Sequence, residues 1–494
     1  MSRKTRRQFL EDSMMASAAA VTATGASSLF AAEEAPQSKS PNEKLSVAVV
    51  GVKGRGGSHI GAFAGRKDTE ITYVCDVDTS YGESRATQIE KRQGRKPKFV
   101  QDIRRVLEDP TVDIVTIATP NHWHALAAIW SIQAGKDVYV EKPVSHNVSE
   151  GRRIVEAARK YNKICQTGTQ SRSNPGMIAA MDYVHSGKIG HCKVARGLCY
   201  KARKSIGELG TYDPPKTVDH NLWTGPAPMG PVTRPQFHYD WHWQRDFGNG
   251  DLGNQGIHQM DLARWGLGVN QLSNTIISYG GRYAYNDAGD TANTQMVLHD
   301  FGDRALVFEV RGLVYDKNLK ESSKKYKGSR VGVIFEGTEG YVVMTSYSSG
   351  AAFDLEGNKV KEFKGGADHF QNFLDAVRSR DKNDLNADIE DGHLSSALCH
   401  LGNISYYSGD RVSQGECLER LQDIETTEDV AATLDRFASH LTDNKVNLAK
   451  EKIQLGPLLK FNPKSETFIG NAAADVMLTR EYRAPFIVPA AGKV

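Results

Sequence analysis

The run Asp137-Val-Tyr-Val-Glu-Lys-Pro-Val144 predicts a short buried strand, because its residues alternate or are β-branched. Pro143 ends that strand, so Glu141 and Lys142 lie at its carboxyl end. Ligands bind at this edge in open parallel α/β sheets. An ammonium group there can orient a substrate hydroxyl, relay its proton or stabilise an alkoxide. A solvated lysine on a loop is the alternative interpretation.

A strand, a glycine-rich turn and a helix begin the folded part of the chain. Leu45-Ser-Val-Ala-Val-Val50 predicts a buried parallel strand, and Gly51-Val-Lys-Gly-Arg-Gly-Gly57 leads into a helix from about Ser58. Glycines let the backbone approach a pyrophosphate, and the helix N-terminus offers unpaired N–H groups. The match to G-x-G-x-x-G is imperfect, since Lys53 takes the second glycine position. The cofactor-binding candidates here are Gly51, Lys53, Gly54, Arg55 and Gly56.

The next strand, Ile71-Thr-Tyr-Val-Cys-Asp76, ends in a carboxylate 25 residues after Gly51. A carboxylate at this position can accept hydrogen bonds from both ribose hydroxyls of adenosine. It would repel a 2′-phosphate, so NAD is favoured over NADP. Alternatively, Asp76 caps a turn together with Asp78.

The loop Thr119-Pro-Asn-His-Trp-His124 follows a further predicted strand, and a helix is expected to begin near Ala125. Asn121 fits the N-cap of that helix. It also fits a loop that covers the nicotinamide ribose, and the two roles are compatible. His122 and His124 point to opposite sides of an extended loop, so no metal site is predicted there. Thr119, Asn121 and His124 join the cofactor-binding candidates.

These features resemble a known family. The glycine turn, Asp76, the Thr-Pro-Asn-His-x-His loop, Glu141-Lys142-Pro143 and Gly168-Thr-Gln-Ser-Arg172, in this order and at these intervals, are similar to the Gfo/Idh/MocA oxidoreductases. The resemblance covers residues 45 to 485. It implies that Lys142 works beside a hydride-transfer site, and that Glu141 and Gln170 belong to the NAD site. For residues 45–168 it implies an α/β fold, a Rossmann doubly wound parallel sheet.

From about residue 175 the pattern changes to strand-like runs with few helices between them. Such a pattern predicts an α+β domain, residues 169–410, with an open, mostly antiparallel sheet that covers the cofactor domain. Its exposed face makes a homo-oligomer through this sheet plausible. Residues 418–448 are charged and helical, and residues 411–494 are expected to form a peripheral helical extension and tail. The predicted strands are residues 192–200, 275–279, 295–298, 305–310, 331–335 and 341–345.

A second informative stretch runs from Trp241 to Asp261. If it is helical from about Leu252, Asn254, His258 and Asp261 share one face. His258 is the predicted general acid/base, since an unperturbed pKa near 6.5 suits proton exchange with a hydroxyl. The resemblance supports this role, because the family's second-domain motif places a catalytic histidine here. A satisfied histidine on a buried helix is the alternative.

Asn254 departs from the family pattern, in which many members carry aspartate. An amide gives no negative charge to stabilise an imidazolium. We therefore expect either that His258 is less basic or that Asp261 or Lys142 carries more of the proton chemistry.

An aromatic cluster precedes this segment. Flat aromatic faces suit the C–H faces of sugar rings, but such clusters are more often core. Spacing among His238, His242 and His258 matches no standard metal signature, and no metal is predicted. The cluster consists of Trp223, Tyr239, Trp241, His242 and Trp243.

The totals describe a globular protein of two domains with appendages. The 494 residues are 24% charged and 39% apolar, with a formal net charge of +3. Basic residues are scattered among acids, so no nucleic-acid partner is implied. The six cysteines show no C-x-x-C spacing, which favours packed free thiols.

Residues 1–40 are interpreted as an export signal and a spacer. Thr5-Arg6-Arg7-Gln8-Phe9-Leu10 resembles the twin-arginine signal, and the apolar stretch after it is too diluted for stable membrane insertion. A disordered basic N-terminus is the alternative. The resemblance implies transport of a folded protein to the periplasm, where no NAD pool replaces a lost cofactor.

The sequence therefore predicts hydride transfer between NAD and a secondary hydroxyl of a sugar, glycoside or cyclitol, with the NAD held tightly and recycled. The alternatives are redox-neutral glycoside cleavage, a dehydrogenase that releases NADH, and a non-catalytic protein that binds NAD and sugar.

Overall fold

The computed structural model describes residues 44–313 and 325–494. The predicted export signal, with its twin-arginine motif, lies outside the described residues. Within them, no helix is long and apolar enough to cross a membrane.

The first domain is built on a six-stranded parallel sheet of order β3-β2-β1-β4-β5-β6. Its central strands are buried on both faces, which explains their nearly continuous runs of Val and Ile. This is the doubly wound dinucleotide-binding order, so the predicted fold of this domain is confirmed. The strands are β1 Leu45–Val50, β2 Thr69–Cys75, β3 Lys98–Val100, β4 Ile114–Ile117, β5 Asp137–Val140 and β6 Cys165–Thr167.

Helices cover both faces of this sheet, and two of them begin earlier than expected. The first starts at Gly56 and not near Ser58, and the fourth starts at Asn121 and not near Ala125. The turn and the loop before them are correspondingly shorter. The helices are α1 Gly56–Phe63, α2 Thr79–Gln93, α3 Arg104–Leu107, α4 Asn121–Gln133 and α5 Val148–Lys160.

The second domain contains a large, mostly antiparallel sheet of order β14-β13-β12-β11-β7-β10-β9-β8-β16-β15, in which only the β7/β10 pair among the described pairings is parallel. All six strand-like runs of the sequence form strands. The strands are β7 Cys192–Cys199, β8 Thr275–Gly281, β9 Thr294–Asp300, β10 Ala305–Arg311, β11 Val331–Gly337, β12 Tyr341–Met344, β13 Ser349–Phe353, β14 Lys359–Lys364, β15 Asp410–Val412, β16 Ile453–Leu455, β17 Leu459–Asn462 and β18 Thr467–Phe468.

One face of this sheet packs on helices that also contact the first domain. Three 3-10 turns, Gln170–Ser173, Asp240–Trp243 and Lys382–Asp384, complete the regular structure of the described residues. The helices are α6 Pro175–His185, α7 His220–Thr224, α8 Gly250–Asn254, α9 Gly256–Leu267, α10 His369–Ser379, α11 Ile389–Tyr407, α12 Gln414–Gln422, α13 Val430–Asp443 and α14 Ala472–Val476.

The opposite face of the central strands is covered by α12 and α13. Phe437 and Leu434 of α13 belong to one apolar cluster with Tyr279, Leu298 and other residues of β7 to β10. The prediction of a peripheral extension was therefore wrong, whereas self-association through the rest of the sheet stays a prediction. The many charges of this segment obscured an apolar stripe at helical spacing.

A buried ion cluster joins the same helix to the sheet. Arg196 lies 3.1 Å from Glu309 and 2.8 Å from Glu428, and Arg436 lies 3.0 Å from Glu309. Because buried charges need close partners, this cluster fixes the extension in one position.

Candidate active site

A cavity of about 590 Å³ lies at the carboxyl edge of the parallel sheet, between the two domains. Both Lys142 of the first domain and His258 of the second domain line it. Asp261 and Gly56 do not. The predicted site residues that line the cavity are Gly51, Lys53, Gly54, Arg55, Asp76, Thr119, Asn121, His124, Glu141, Lys142, Gln170, Asn254 and His258.

The glycine turn has the shape that a pyrophosphate requires. Gly51 has a φ of +79°, and a Cβ there would lie 2.7 Å from the backbone of Ala118. A Cβ at Gly56 would lie 1.8 Å from the carbonyl oxygen of Gly51, so Gly56 serves close packing, and it does not line the cavity. A Cβ at Gly54 would meet nothing within 4 Å. The open space at Gly54 faces the cavity at the N-terminus of α1.

Asp76 lies on the wall of the cavity, and its carboxylate accepts two backbone hydrogen bonds. The N–H groups of Val52 and Asp78 donate to it over 2.8 and 3.0 Å. The turn with Asp78 is therefore present, but it leaves further lone pairs free toward the cavity. Burial raises the pKa of Asp76, although the two hydrogen bonds act to lower it. Two roles that the sequence left open are thus compatible.

Glu141 is buried beneath the glycine turn. Its Oε1 accepts from Arg55 Nε over 2.7 Å and lies 3.2 Å from His59 Nε2. Burial alone would raise the pKa of Glu141, but the His59 hydrogen bond and the Arg55 charge outweigh it and hold the pKa well below its ordinary value. A Cβ at Gly168 would lie 2.8 Å from the carboxyl carbon. Glu141 therefore anchors Arg55 at the turn.

Lys142 joins the two domains. Its Nζ donates to the carbonyl oxygen of Asn254 over 2.8 Å, at the end of α8. Burial lowers the pKa of this amine, so it gives up a proton more readily than a solvated lysine.

His258 is buried. The centroid of its ring lies 4.9 Å from the centroid of the Tyr347 ring. Its Nδ1 has no hydrogen-bond partner among the described residues. Burial and the Lys142 charge lower the pKa of His258 well below 6.5. This direction agrees with the alternative, left open by the sequence, that His258 is less basic than an unperturbed histidine. The imidazole is neutral at neutral pH and has a free lone pair to accept a proton.

The two other residues of the predicted helical face differ in position, because Asn254 lines the cavity with His258 and Asp261 does not. The side chain of Asn254 lies 3.5 Å from Asp251, whose carboxylate is bound by Arg203. Asp261 is buried away from the cavity, where Arg172 Nε donates to it over 2.9 Å. The catalytic position predicted for Asp261 was therefore wrong, since its carboxylate forms an ion pair with the buried Arg172.

The loop before α4 also differs from expectation. Asn121 does not cap the helix, because the helix already begins at this residue. Its amide donates to the Asn249 side chain of the second domain over 3.1 Å. The two ring nitrogens of His124 lie 2.6 Å from the Pro143 oxygen and 2.7 Å from the Thr119 oxygen. His124 therefore lies between two backbone carbonyls beside Lys142, and its one N–H donates to one of them.

Most of the aromatic cluster reaches the cavity. Trp223, Tyr239, Trp241 and His242 line it, whereas Trp243 packs with Ile206 and Ala288. The rings of Trp241 and His242 are stacked at 3.7 Å. Flat ring faces therefore border the cavity. No group of three or more His, Cys, Asp or Glu among the described residues is arranged to hold a metal ion.

Sequence reasoning missed Tyr347, which lines the cavity from the turn between β12 and β13. Its hydroxyl accepts a hydrogen bond from Gln255 Nε2 over 2.7 Å. A serine-rich turn gave no signal for it. Tyr347 adds a phenol beside His258.

Two family models match this chain. The oxidoreductase family NAD-binding Rossmann fold of Gfo/Idh/MocA matches residues 45–169, and the C-terminal alpha/beta domain of the same family matches residues 196–436. The chain belongs to the Gfo/Idh/MocA oxidoreductases.

Curated relatives of this Gfo/Idh/MocA protein match over part of their length. Levoglucosan dehydrogenase of Pseudarthrobacter phenanthrenivorans is 29% identical over 178 residues, 36% of this chain and 38% of the relative. The alpha-N-acetylgalactosaminidase of Shewanella oneidensis is 28% identical over 199 residues, 37% of this chain and 43% of the relative. The matched region thus spans about two fifths of each relative.

Solved structures share the fold over a larger part of the chain. The WlbA dehydrogenase of Bordetella pertussis, in complex with NADH and UDP-GlcNAcA, has a TM-score of 0.54 at 20% identity and covers 73% of this chain and 96% of its own. Levoglucosan dehydrogenase in complex with NADH and levoglucosan has a TM-score of 0.54 at 17% identity, covering 73% and 98%. These likenesses support the two-domain fold.

Proposed function

We propose that the chain is an NAD-dependent oxidoreductase that acts on a secondary hydroxyl of a sugar, glycoside or cyclitol. One observation carries the proposal: Lys142 and His258, from different domains, line the same cavity as the glycine turn and Asp76. Bound NAD would accept the hydride that leaves the hydroxyl-bearing carbon.

The residues present fit that cofactor. The open side of Gly54 and the N-terminus of α1 suit its pyrophosphate, and Arg55 adds positive charge there. The Asp76 carboxylate suits the adenosine ribose and disfavours NADP. Gln170 has a buried side-chain oxygen that lacks a partner among the described residues and that lines the cavity.

Lys142 and His258 suit the proton chemistry at the other end of the cavity. The Lys142 ammonium, fixed by the Asn254 carbonyl, would donate a hydrogen bond to the reacting oxygen and orient it. The neutral His258 would take the hydroxyl proton as the C–H electron pair leaves the same carbon. In the reverse direction the same groups return the proton.

The carbohydrate class is supported by the aromatic wall and by the similarity to levoglucosan dehydrogenase and alpha-N-acetylgalactosaminidase. Trp241 and Trp223 offer flat faces to sugar C–H groups. The similarity to alpha-N-acetylgalactosaminidase favours one further candidate function, redox-neutral cleavage of a glycoside, in which NAD is reduced and reoxidised within each turnover.

Export by the twin-arginine route remains part of the proposal, because residues 1–40 carry its motif. A folded protein would carry its NAD to the periplasm. Retention and recycling of the cofactor would follow from the lack of a replacement pool.

The experiment is a panel of D-glucose, levoglucosan, myo-inositol and methyl glucosides with the purified full chain. Near-UV absorbance reports cofactor reduction, and chromatography of the products reports oxidised sugar or a released aglycone. Cofactor reduction with accumulation of a keto sugar supports the dehydrogenase, whereas aglycone release without net reduction supports redox-neutral cleavage. A protein that binds NAD and a panel sugar but yields neither product would contradict both and support the non-catalytic alternative.

A further inference from the structure

Residues 216–242 of the second domain, called the strap below, line one side of the cavity, and the part with His238 lies at its adenosine end. The adenosine end is the part around Asp76, which Gln101, Asp102 and Ile103 also line. The strap contains α7 and the 3-10 turn Asp240–Trp243. It therefore forms a wall of the cofactor site that does not belong to the parallel sheet. Its cavity-lining residues are Leu222, Trp223, His238, Tyr239, Trp241 and His242.

The backbone of the strap pairs with the loop that follows Asp76. Thr79 N–H donates to the Thr217 oxygen over 3.0 Å, and Asp219 N–H donates to the Val77 oxygen over 2.9 Å. Asp78 and Val218 form an antiparallel bridge between these two bonds. The backbone of the strap is thus hydrogen-bonded to the first domain next to Asp76, where the ribose is expected to bind.

A side-chain contact between His238 and Asp78 adds to this backbone pairing. His238 Nε2 of the strap lies 2.9 Å from Asp78 Oδ2, and Asp78 is 1% exposed. The other carboxylate oxygen of Asp78 caps α2 through Ser80 N–H, and the Asp78 N–H donates to Asp76. Asp78 therefore connects the strap, the helix and the ribose-binding carboxylate.

We propose that Asp78 and His238 are cofactor-positioning residues, whose contact holds the strap against the loop after β2 and retains bound NAD through turnover. The proposal rests on the proposed function and adds to it the contact that controls cofactor exchange. NAD leaves the site only after this contact has opened.

Other anchors hold the strap at points away from Asp78. Arg483 of the C-terminal tail donates to Asn221 and Gly225 of the strap over 2.7 to 3.1 Å. Arg234 is fully buried within the strap, where it donates to the Phe237 oxygen and lies over the Trp223 ring. These contacts preserve the strap when His238 is replaced, so the change acts on the Asp78 side.

The test compares His238→Ala with the wild-type full chain. NADH-loaded protein is chased with excess NAD, and the fall in bound-NADH fluorescence gives the dissociation rate. We expect that rate to rise about 10- to 100-fold in His238→Ala, as for the loss of a hydrogen bond to a charged acceptor. His238→Gln can still donate to Asp78 and should restore slow exchange, while the melting temperature stays close to wild type in both.

The matched control is His191→Ala, which removes a solvent-exposed histidine 3.6 Å from Asp303 and remote from the cavity. It should exchange NADH at the wild-type rate. An unchanged rate in His238→Ala, or a wild type that already exchanges NADH as fast as that variant, would overturn the proposal. Failure of the proposed function looks different, because the wild type would then give neither oxidised sugar nor released aglycone in the sugar panel, whatever its rate of NADH exchange.

Discussion

Replacing Lys142 by methionine tests the centre of the proposed chemistry. Methionine fills a similar volume, so the cavity wall is kept while the amine is lost. The variant loses the hydrogen bond from Nζ to the Asn254 oxygen, a 2.8 Å contact between the domains. It also loses the charge that lowers the pKa of His258. The first effect removes the donor to the reacting oxygen, and the second raises the basicity of the imidazole.

The expected cost follows from the role of the amine. A positioned proton donor or acceptor contributes about 10²- to 10⁴-fold in rate, or about 3–5 kcal/mol of transition-state stabilisation. Folding stability should change by less than about 1 kcal/mol, because the lost hydrogen bond is offset by the removal of a desolvated amine. NAD affinity should stay within about threefold, since Lys142 has no contact with the glycine turn among the described hydrogen bonds.

The assay is single-turnover reduction of bound NAD by the best sugar of the panel, followed by near-UV absorbance. Lys53→Met is the matched control, because Lys53 lines the same cavity at the glycine turn with its Nζ 4.4 Å from the Tyr81 ring centroid. It should weaken NAD binding while leaving the rate at saturating NAD unchanged. Turnover of Lys142→Met at the wild-type rate would refute the assignment, and so would a variant that merely fails to bind NAD.

Three further outcomes are expected. Because the pKa of His258 is lowered, kcat/KM should fall on the acidic side only below pH 6.5, and this fall should disappear in His258→Gln. A fall that begins above pH 6.5 would exclude His258 as the base. Glu141→Gln should lower the free energy of unfolding by about 2–3 kcal/mol at pH 7, less than for a fully buried pair because Arg55 is 38% exposed. Because the folded pKa of Glu141 is depressed, that difference should shrink as the pH falls below 4.5 in denaturant titrations, and a pH-independent difference would contradict the ion pair. Phe437→Ala should cost about 3–5 kcal/mol in the same titrations, whereas a peripheral α13 would give almost no loss.

The first domain was readable from the sequence because its strands are continuous apolar runs, each followed at once by a chemically distinct residue. Parallel strands bring those residues to one edge, so Asp76, Lys142 and the glycine turn were predicted together. The position of His258 beside these residues was predicted from the family motif and not from the local sequence pattern.

The errors share a physical cause, which is that partners distant in sequence decide the outcome. Asp261 was grouped with Asn254 and His258 by helical spacing, but Arg172 binds it away from the cavity. The segment that contains α13 was predicted to be peripheral because of its charges, but several of its apolar residues meet the sheet. No local pattern could reveal that the ring of His124 lies between two backbone oxygens.

The ion cluster under α13 makes the boundary at residue 411 unsuitable for shortening the chain. Removing everything beyond it would strip Glu428 and Arg436 from Arg196 and Glu309, which are 3% and 0% exposed. Those two groups would then meet water beside a bare apolar sheet surface. A truncated protein should consequently aggregate, and expression trials that keep the complete C-terminal segment should give the soluble material.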